Sequence, residues 1–200
     1  MLSPSRPRVA EGPPKRSNWL RETLIVVVVA LVAAFLLRTF VVQTFYIPSG
    51  SMEPTLSIGD RILVDKLSYD LHGVDRGNIV VFRRPADEDC GGAPVADLVK
   101  RVIGLPGETI SLSRGYVLID GKPLDESWLP SSVQGTTFPG PAGSSYSLAK
   151  PYVIPADHYF VMGDHRADSC DSRYWGPIPR SLIVGKVDVR VWPITSFHFF

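Results

Sequence analysis

The chain has 200 residues, 44% of them hydrophobic and 20% charged, with a formal net charge of +1. That length suits one domain, or one domain with a small subdomain, and the balance excludes both a disordered chain and a markedly basic nucleic-acid binder. Eighteen prolines and 17 glycines favour a loop-rich, mainly β body.

Residues 1–18 place Arg6, Arg8, Lys15 and Arg16 among prolines and serines and read as a disordered basic tail. From Thr23 to Leu37 the sequence TLIVVVVALVAAFLL carries no charge. Alone it is short for a bilayer core of roughly 30 Å. Continuation through Phe40, Val41 and Val42, past an Arg38 able to snorkel, predicts one transmembrane helix over 19–42, with Trp19 at the opposite interface. A cleaved secretory signal is the rival reading, but no Ala-x-Ala site of suitable polarity follows the run. The cationic flank predicts a cytoplasmic N-terminus, which makes residues 43–200 an extracytoplasmic domain of a single-pass protein in the plasma membrane.

Beyond the span, strand signals recur at 61–69, 77–85, 97–105, 109–124, 157–164 and 181–192: short β-branched or aromatic runs bounded by Gly, Pro or Asp. Asp120-Gly121 marks a hairpin turn. The predicted fold is an antiparallel β-sheet core, sandwich- or barrel-like, with a small β/loop subdomain inserted at about 113–155. Residues 125–150 are rich in Gly, Pro and Ser, and ADEDCGGAPVAD (86–97) is a second, acidic insertion; both read mostly as variable surface loops.

Candidate chemistry begins at FYIPSGSMEPTL, Phe45 to Leu56. Pro48 and Pro54 stiffen this stretch from both sides and Gly50 allows close backbone approach, a suitable mount for a serine nucleophile. A serine needs a base. Of His72, His158, His165 and His198, only His165 lies among polar residues, so a Ser–His–Asp arrangement with Asp164 or Asp168 is one option. Lys100 is the other. It sits in DLVKRVIGL, a strand apolar on both faces, where desolvation lowers an amine pKa and frees it to accept a proton. A lysine reaching solvent, or paired with Asp97 or Glu108, is the structural alternative. Cys90 and Cys170 suit a single disulfide in an oxidising compartment, or two free thiols. Neither has a CxxC or Cys/His partner at ligand spacing, and no metal or other cofactor is expected. Trp175, Trp192, Phe197, Phe199 and Phe200 suit either core burial or a membrane-facing surface.

Five blocks in order, IPSGSMEPTL, GDRILVDKL, RGNIVVFRRP, LVKRVIGLPGE and GDHRADSCDSRYWGPIP, follow the apolar N-terminal segment. Together they resemble the bacterial type I signal peptidases, membrane-bound Ser–Lys proteases that remove signal peptides. The resemblance implies an endopeptidase acting on exported preproteins after a small-x-small motif as they leave the secretion machinery at the lipid membrane. It implies Ser51 as nucleophile, Lys100 as general base, and Ser49 with the Ser51 N–H as oxyanion donors. Ser169 would orient the lysine, and Asp171 and Arg173 would support it. Phe45, Ile47, Met52, Leu56, Ile62, Val81, Leu98 and Val99 would line two shallow pockets for small side chains. His165 stands where the family commonly has Asn, which keeps a histidine contribution open; a non-catalytic anchored β scaffold is a separate alternative. A Cys90–Cys170 pair would tie the acidic insertion to the rim of the site.

Overall fold

The computed structural model describes residues 19–36, 42–91 and 95–200. The expected tail lies outside them. The chain divides into an N-terminal unit ending at Leu37 and a larger unit from Arg38 onward.

The first unit contains α1 (Trp19–Leu36), whose apolar side chains from Leu24 to Phe35 are largely exposed. Among the described residues no helix is long and apolar enough to cross a membrane. The span expected over 19–42 is corrected at its end. The helix is described only to Leu36, residues 37–41 lie outside the description, and Val42 already belongs to a strand. The reason is local. Val42–Tyr46 is rich in β-branched and aromatic residues and pairs in unbroken antiparallel register with Arg61–Asp65.

The second unit is mainly β, and every strand pairing in it is antiparallel. Its larger sheet orders β1 (Val42–Tyr46), β2 (Arg61–Asp65), β11 (Ile183–Trp192), β3 (Ile79–Arg83), β4 (Asp97–Gly104), β9 (His158–Met162) and β10 (Ile178–Pro179), with β12 (His198–Phe199) on β11. The smaller sheet orders β7 (Lys122–Pro123), β6 (Tyr116–Ile119), β5 (Thr109–Ser113) and β8 (Tyr152–Val153). One-turn helices α2 (Ser68–Leu71) and α3 (Ser172–Trp175) interrupt the connections.

Patterning explains the placement. Strand β11 alternates buried and half-buried residues over most of its length, as a strand with one face on the core should. Strand β3 is buried on both faces from Ile79 to Phe82, and β4 from Lys100 to Gly104. The hairpins β5–β6 and β6–β7 turn on Arg114-Gly115 and Asp120-Gly121, and all four residues have positive φ, the requirement of a two-residue turn matched to strand twist. The two sheets share an apolar cluster of Ile103, Phe160 and Met162 with Ile110, Val117, Leu148 and Ile154. Gly104 permits it, since a Cβ there would collide with the Ile154 side chain and crowd Phe160.

The segment between β7 and β8 departs from expectation. It contains no strand, as its composition suggested, yet it is no loose surface loop. Glu126, Leu129, Thr137 and Leu148 are buried. Its polar sequence hides this because much of the contact is made by backbone carbonyls and one carboxylate, which leave no apolar period to read.

The shared cluster generates a stability prediction. Phe160→Ala in the full-length chain should lower the unfolding free energy by about 3–5 kcal/mol through transfer and cavity terms. Urea denaturation would show this as a lower midpoint with an unchanged slope.

Candidate active site

The serine stretch folds as an extended Ser49 followed by a single 3₁₀ turn, Gly50–Met52. The Glu53 N–H closes that turn on the Gly50 carbonyl, and the Leu56 N–H reaches the Met52 carbonyl. Further on, the buried Asp60 accepts from the Ser57 N–H and pairs with Arg190 at 3.2 Å. Arg190 also donates to the Thr55 carbonyl. Met52 and Leu56 are driven into the apolar cluster with Ile47, Ile62, Val64 and Val81, so the loop hangs its serine from a buried base. Ser51 is half-buried, with its Oγ 3.4 Å from the Ser49 hydroxyl.

Strand β4 brings Lys100 opposite Val80 of β3, and its Nζ lies 2.6 Å from Ser51 Oγ, 49 positions away in sequence. Lys100 is only 4% exposed. Burial pushes its amine down from 10.5 to about 8, and Arg173 pushes the same way; Asp171, Asp164 and Glu88 oppose. Desolvation wins, so the neutral amine is far more accessible near neutral pH than it is for a free lysine.

The third element is the loop after β9. Asp171 is fully buried; it accepts from the Gly163 N–H and pairs bidentately with Arg173. Arg173, also fully buried, donates to the carbonyls of Phe138, Arg166 and Ser169. Gly163 sits where a Cβ would collide with Ser169 Oγ and the Ser51 carbonyl. Glycine is thus what lets this loop close on the serine loop. The His165 N–H donates to the Ser51 carbonyl at 3.1 Å, so His165 meets the serine through its backbone while Lys100 meets the hydroxyl. Ser169 is buried beside these groups, with its Oγ lacking a hydrogen-bond partner; the lysine-orienting hydrogen bond is not formed here.

Two depressions flank the pair. One, of about 60 Å³, is lined by Phe45, Ile47, Met52, Leu98 and Val99 together with Tyr46, Pro48, Val95 and Asp97. Leu56, Ile62 and Val81, expected on its walls, are instead fully buried in the layer beneath and do not line it. The other is larger, about 320 Å³, and reaches Arg84, Glu88, Cys90, Cys170 and Trp175. Cys90 and Cys170 are joined as a disulfide, Cα to Cα 6.1 Å, which fastens the acidic insertion beside Ser169.

Several contributors escaped the sequence reading. Gly163 and the Glu126–Arg166 pair (2.5 Å) carry no motif, Arg84 lies at the end of the run read as a strand over 77–85, and Glu88 lies in the insertion read as surface loop. Arg101 could have been suspected as a charge in an apolar strand; it is buried, pairs with Asp164 at 2.6 Å and lies over the Trp128 ring.

A hydroxyl on a desolvated amine, beside a shallow apolar cleft, is an arrangement for acyl transfer. Comparison with known proteins agrees. Residues 20–192 match the family model described as signal peptidase, peptidase S26. A probable signal peptidase I-2 of Synechocystis sp. is 41% identical over 92% of this chain and 78% of its own. A signal peptidase I of Leptolyngbya laminosa is 39% identical over 96% and 88%, and a signal peptidase IB of Staphylococcus aureus 36% over 90% and 93%. The chain belongs to the signal peptidase family, peptidase S26.

The buried amine has a thermodynamic consequence. Above 10.5 the lysine is neutral folded or unfolded, and its protonation costs the fold nothing. As pH falls the unfolded state takes up the proton first, and below about 8 the cost is complete. A lowering from 10.5 to about 8 corresponds to about 3 kcal/mol. Lys100→Met should therefore be more stable than the parent at pH 7 by about 2–3 kcal/mol in urea unfolding. The gain should shrink toward pH 10.5; an equal or less stable variant at pH 7 contradicts the assignment.

Proposed function

We propose that this protein is a membrane-anchored endopeptidase that removes signal peptides from exported preproteins by a Ser51–Lys100 mechanism. The observation that carries this reading is the 2.6 Å contact between Lys100 Nζ and Ser51 Oγ in an environment that favours the neutral amine.

The steps follow from the atoms. Neutral Lys100 accepts the Ser51 proton as Oγ attacks the scissile carbonyl, and the tetrahedral oxyanion receives hydrogen bonds from the Ser49 hydroxyl and the Ser51 N–H. Collapse breaks the C–N bond, and Lys100 hands its proton to the departing amine. Water then gives a proton to Lys100 and attacks the Ser51 ester; the second collapse releases the carboxylate end of the signal peptide and returns the proton to Oγ. Ser169, buried with a free hydroxyl next to Gly163, is positioned to turn and steady the lysine, while Asp171 and Arg173 hold its loop. The reaction needs no metal or other cofactor.

Substrate choice has a steric basis. A depression of about 60 Å³ walled by Phe45, Ile47, Met52 and Val99 takes side chains of alanine size and rejects larger ones by overlap. This fits substrates with small residues at the first and third positions before the cut bond. The apolar segment that contains α1 supplies the anchor in the cytoplasmic membrane. The basic tail stays inside, and residues 43–200 work outside, where signal peptides emerge.

In a preprotein-processing assay, Ser51→Ala and Lys100→Ala should each lower kcat/KM by at least about 1,000-fold, with His165→Ala close to the parent. Activity that survives Lys100→Ala and is lost with His165→Ala overturns the mechanism. The pH profile gives a separate check. Because the amine must be neutral, kcat/KM should fall about tenfold per pH unit on the acid side of a pKa near 8.

A further inference from the structure

We infer that the larger cavity beside Ser51 reads the middle residue of the small-x-small motif, and that Arg84 and Glu88 set its charge preference. This rests on the proposed signal-peptide cleavage.

The two depressions share a rim made by Pro48, Ser49, Ser51, Val95, Leu98 and Lys100. They therefore adjoin at the nucleophile, and an extended substrate that reaches Ser51 passes along this shared rim. Successive side chains of an extended peptide point to opposite sides. With the first and third residues before the cut bond in the small depression, the second faces the other way, into the cavity of about 320 Å³. The contrast with about 60 Å³ on the first side is large. The middle position has room for a side chain far bulkier than its neighbours, where the motif alone says only that anything is allowed.

The walls define what fits best. Val95, Leu98, Pro48, the Cys90–Cys170 disulfide and Trp175 offer apolar surface. Trp175 is buried, and its indole N–H has no hydrogen-bond partner. Among the described residues, the ionic groups peculiar to this cavity are Arg84 and Glu88, which pair with one another. The Glu88 carboxylate also accepts from the Cys90 N–H, and Arg84 donates to the Glu88 carbonyl, so the pair is held in place. Mutually neutralised charges on an apolar pocket favour a bulky uncharged middle side chain, and penalise a charged one that would have to disturb the pair. Glu88, Cys90 and Gly91 of the acidic insertion, pinned by the disulfide, thereby become part of the substrate site.

The test uses the full-length enzyme in detergent micelles and a set of signal-peptide substrates differing only at the middle position: Gly, Ala, Phe, Gln, Glu and Lys. The parent should cleave the Phe substrate about tenfold faster in kcat/KM than the Gly one, through burial of the ring. Arg84→Gln leaves the Glu88 carboxylate unopposed and should raise the Lys-to-Glu ratio of kcat/KM about tenfold; Glu88→Gln should lower it by a similar factor. Because each ratio is taken within one enzyme preparation, partial misfolding does not move it. Equal cleavage of all six by the parent, or ratios unmoved by both substitutions, overturns the inference while leaving signal-peptide cleavage intact. Cleavage of none overturns both.

Discussion

The proposed chemistry depends on one unfavourable arrangement: a lysine amine kept away from water next to a hydroxyl. An exposed lysine is charged at neutral pH and useless as a base. Making it a base demands apolar neighbours, and making it a partner for Ser51 demands that two chain segments far apart in sequence meet within hydrogen-bond reach. Strand β4, buried on both faces from Lys100 onward, supplies the first condition. The 3₁₀ turn, hung from Met52 and Leu56, supplies the second.

The loop that completes the site is held differently. Its neighbours are three buried arginines, Arg101, Arg166 and Arg173, each matched by a carboxylate: Asp164, Glu126 and Asp171. Such pairs add little net stability, since desolvation offsets attraction, but losing one partner strands a buried charge and costs about 3–5 kcal/mol. Their value lies in directionality. Arg173 alone joins the Phe138 carbonyl of the long segment to the Arg166 and Ser169 carbonyls of the catalytic loop. The segment between β7 and β8 is thus coupled to the chemistry without contributing a reacting atom.

The parts of this design that the sequence displayed are those with a period or a punctuation. Strands β2, β3, β4, β9 and β11 fall inside runs that alternation and β-branching had marked, and Asp120-Gly121 turns where a two-residue hairpin should. Ser51 and Lys100 stood out as candidates because a hydroxyl between stiffening prolines and a cation in an apolar strand are both locally unusual, but their roles came only from the resemblance of the five ordered blocks. Four things were hidden. The burial of Glu126 and Thr137 depends on carbonyls and charges from distant loops, which leave no local pattern. Gly163 is required by close approach, invisible until Ser169 and Ser51 are in place. Leu56, Ile62 and Val81 belong to the layer under the cleft, and sequence cannot tell a wall from a floor. The apolar N-terminal run likewise did not reveal that Val42 would leave the helix for a sheet.

The position of β11 has a temporal meaning. This strand, Ile183–Trp192, lies between β2 and β3, so the two segments that flank the serine loop and the lysine strand are joined by a stretch made far later than either. Pairings this distant in sequence close late, after the entropy of a long loop has been overcome. During synthesis the serine and the amine exist long before the central strand that brings their supports together. A chain made only as far as Lys100 carries both groups without the dry, aligned setting that the proposed mechanism needs, so competence would follow the making of β11.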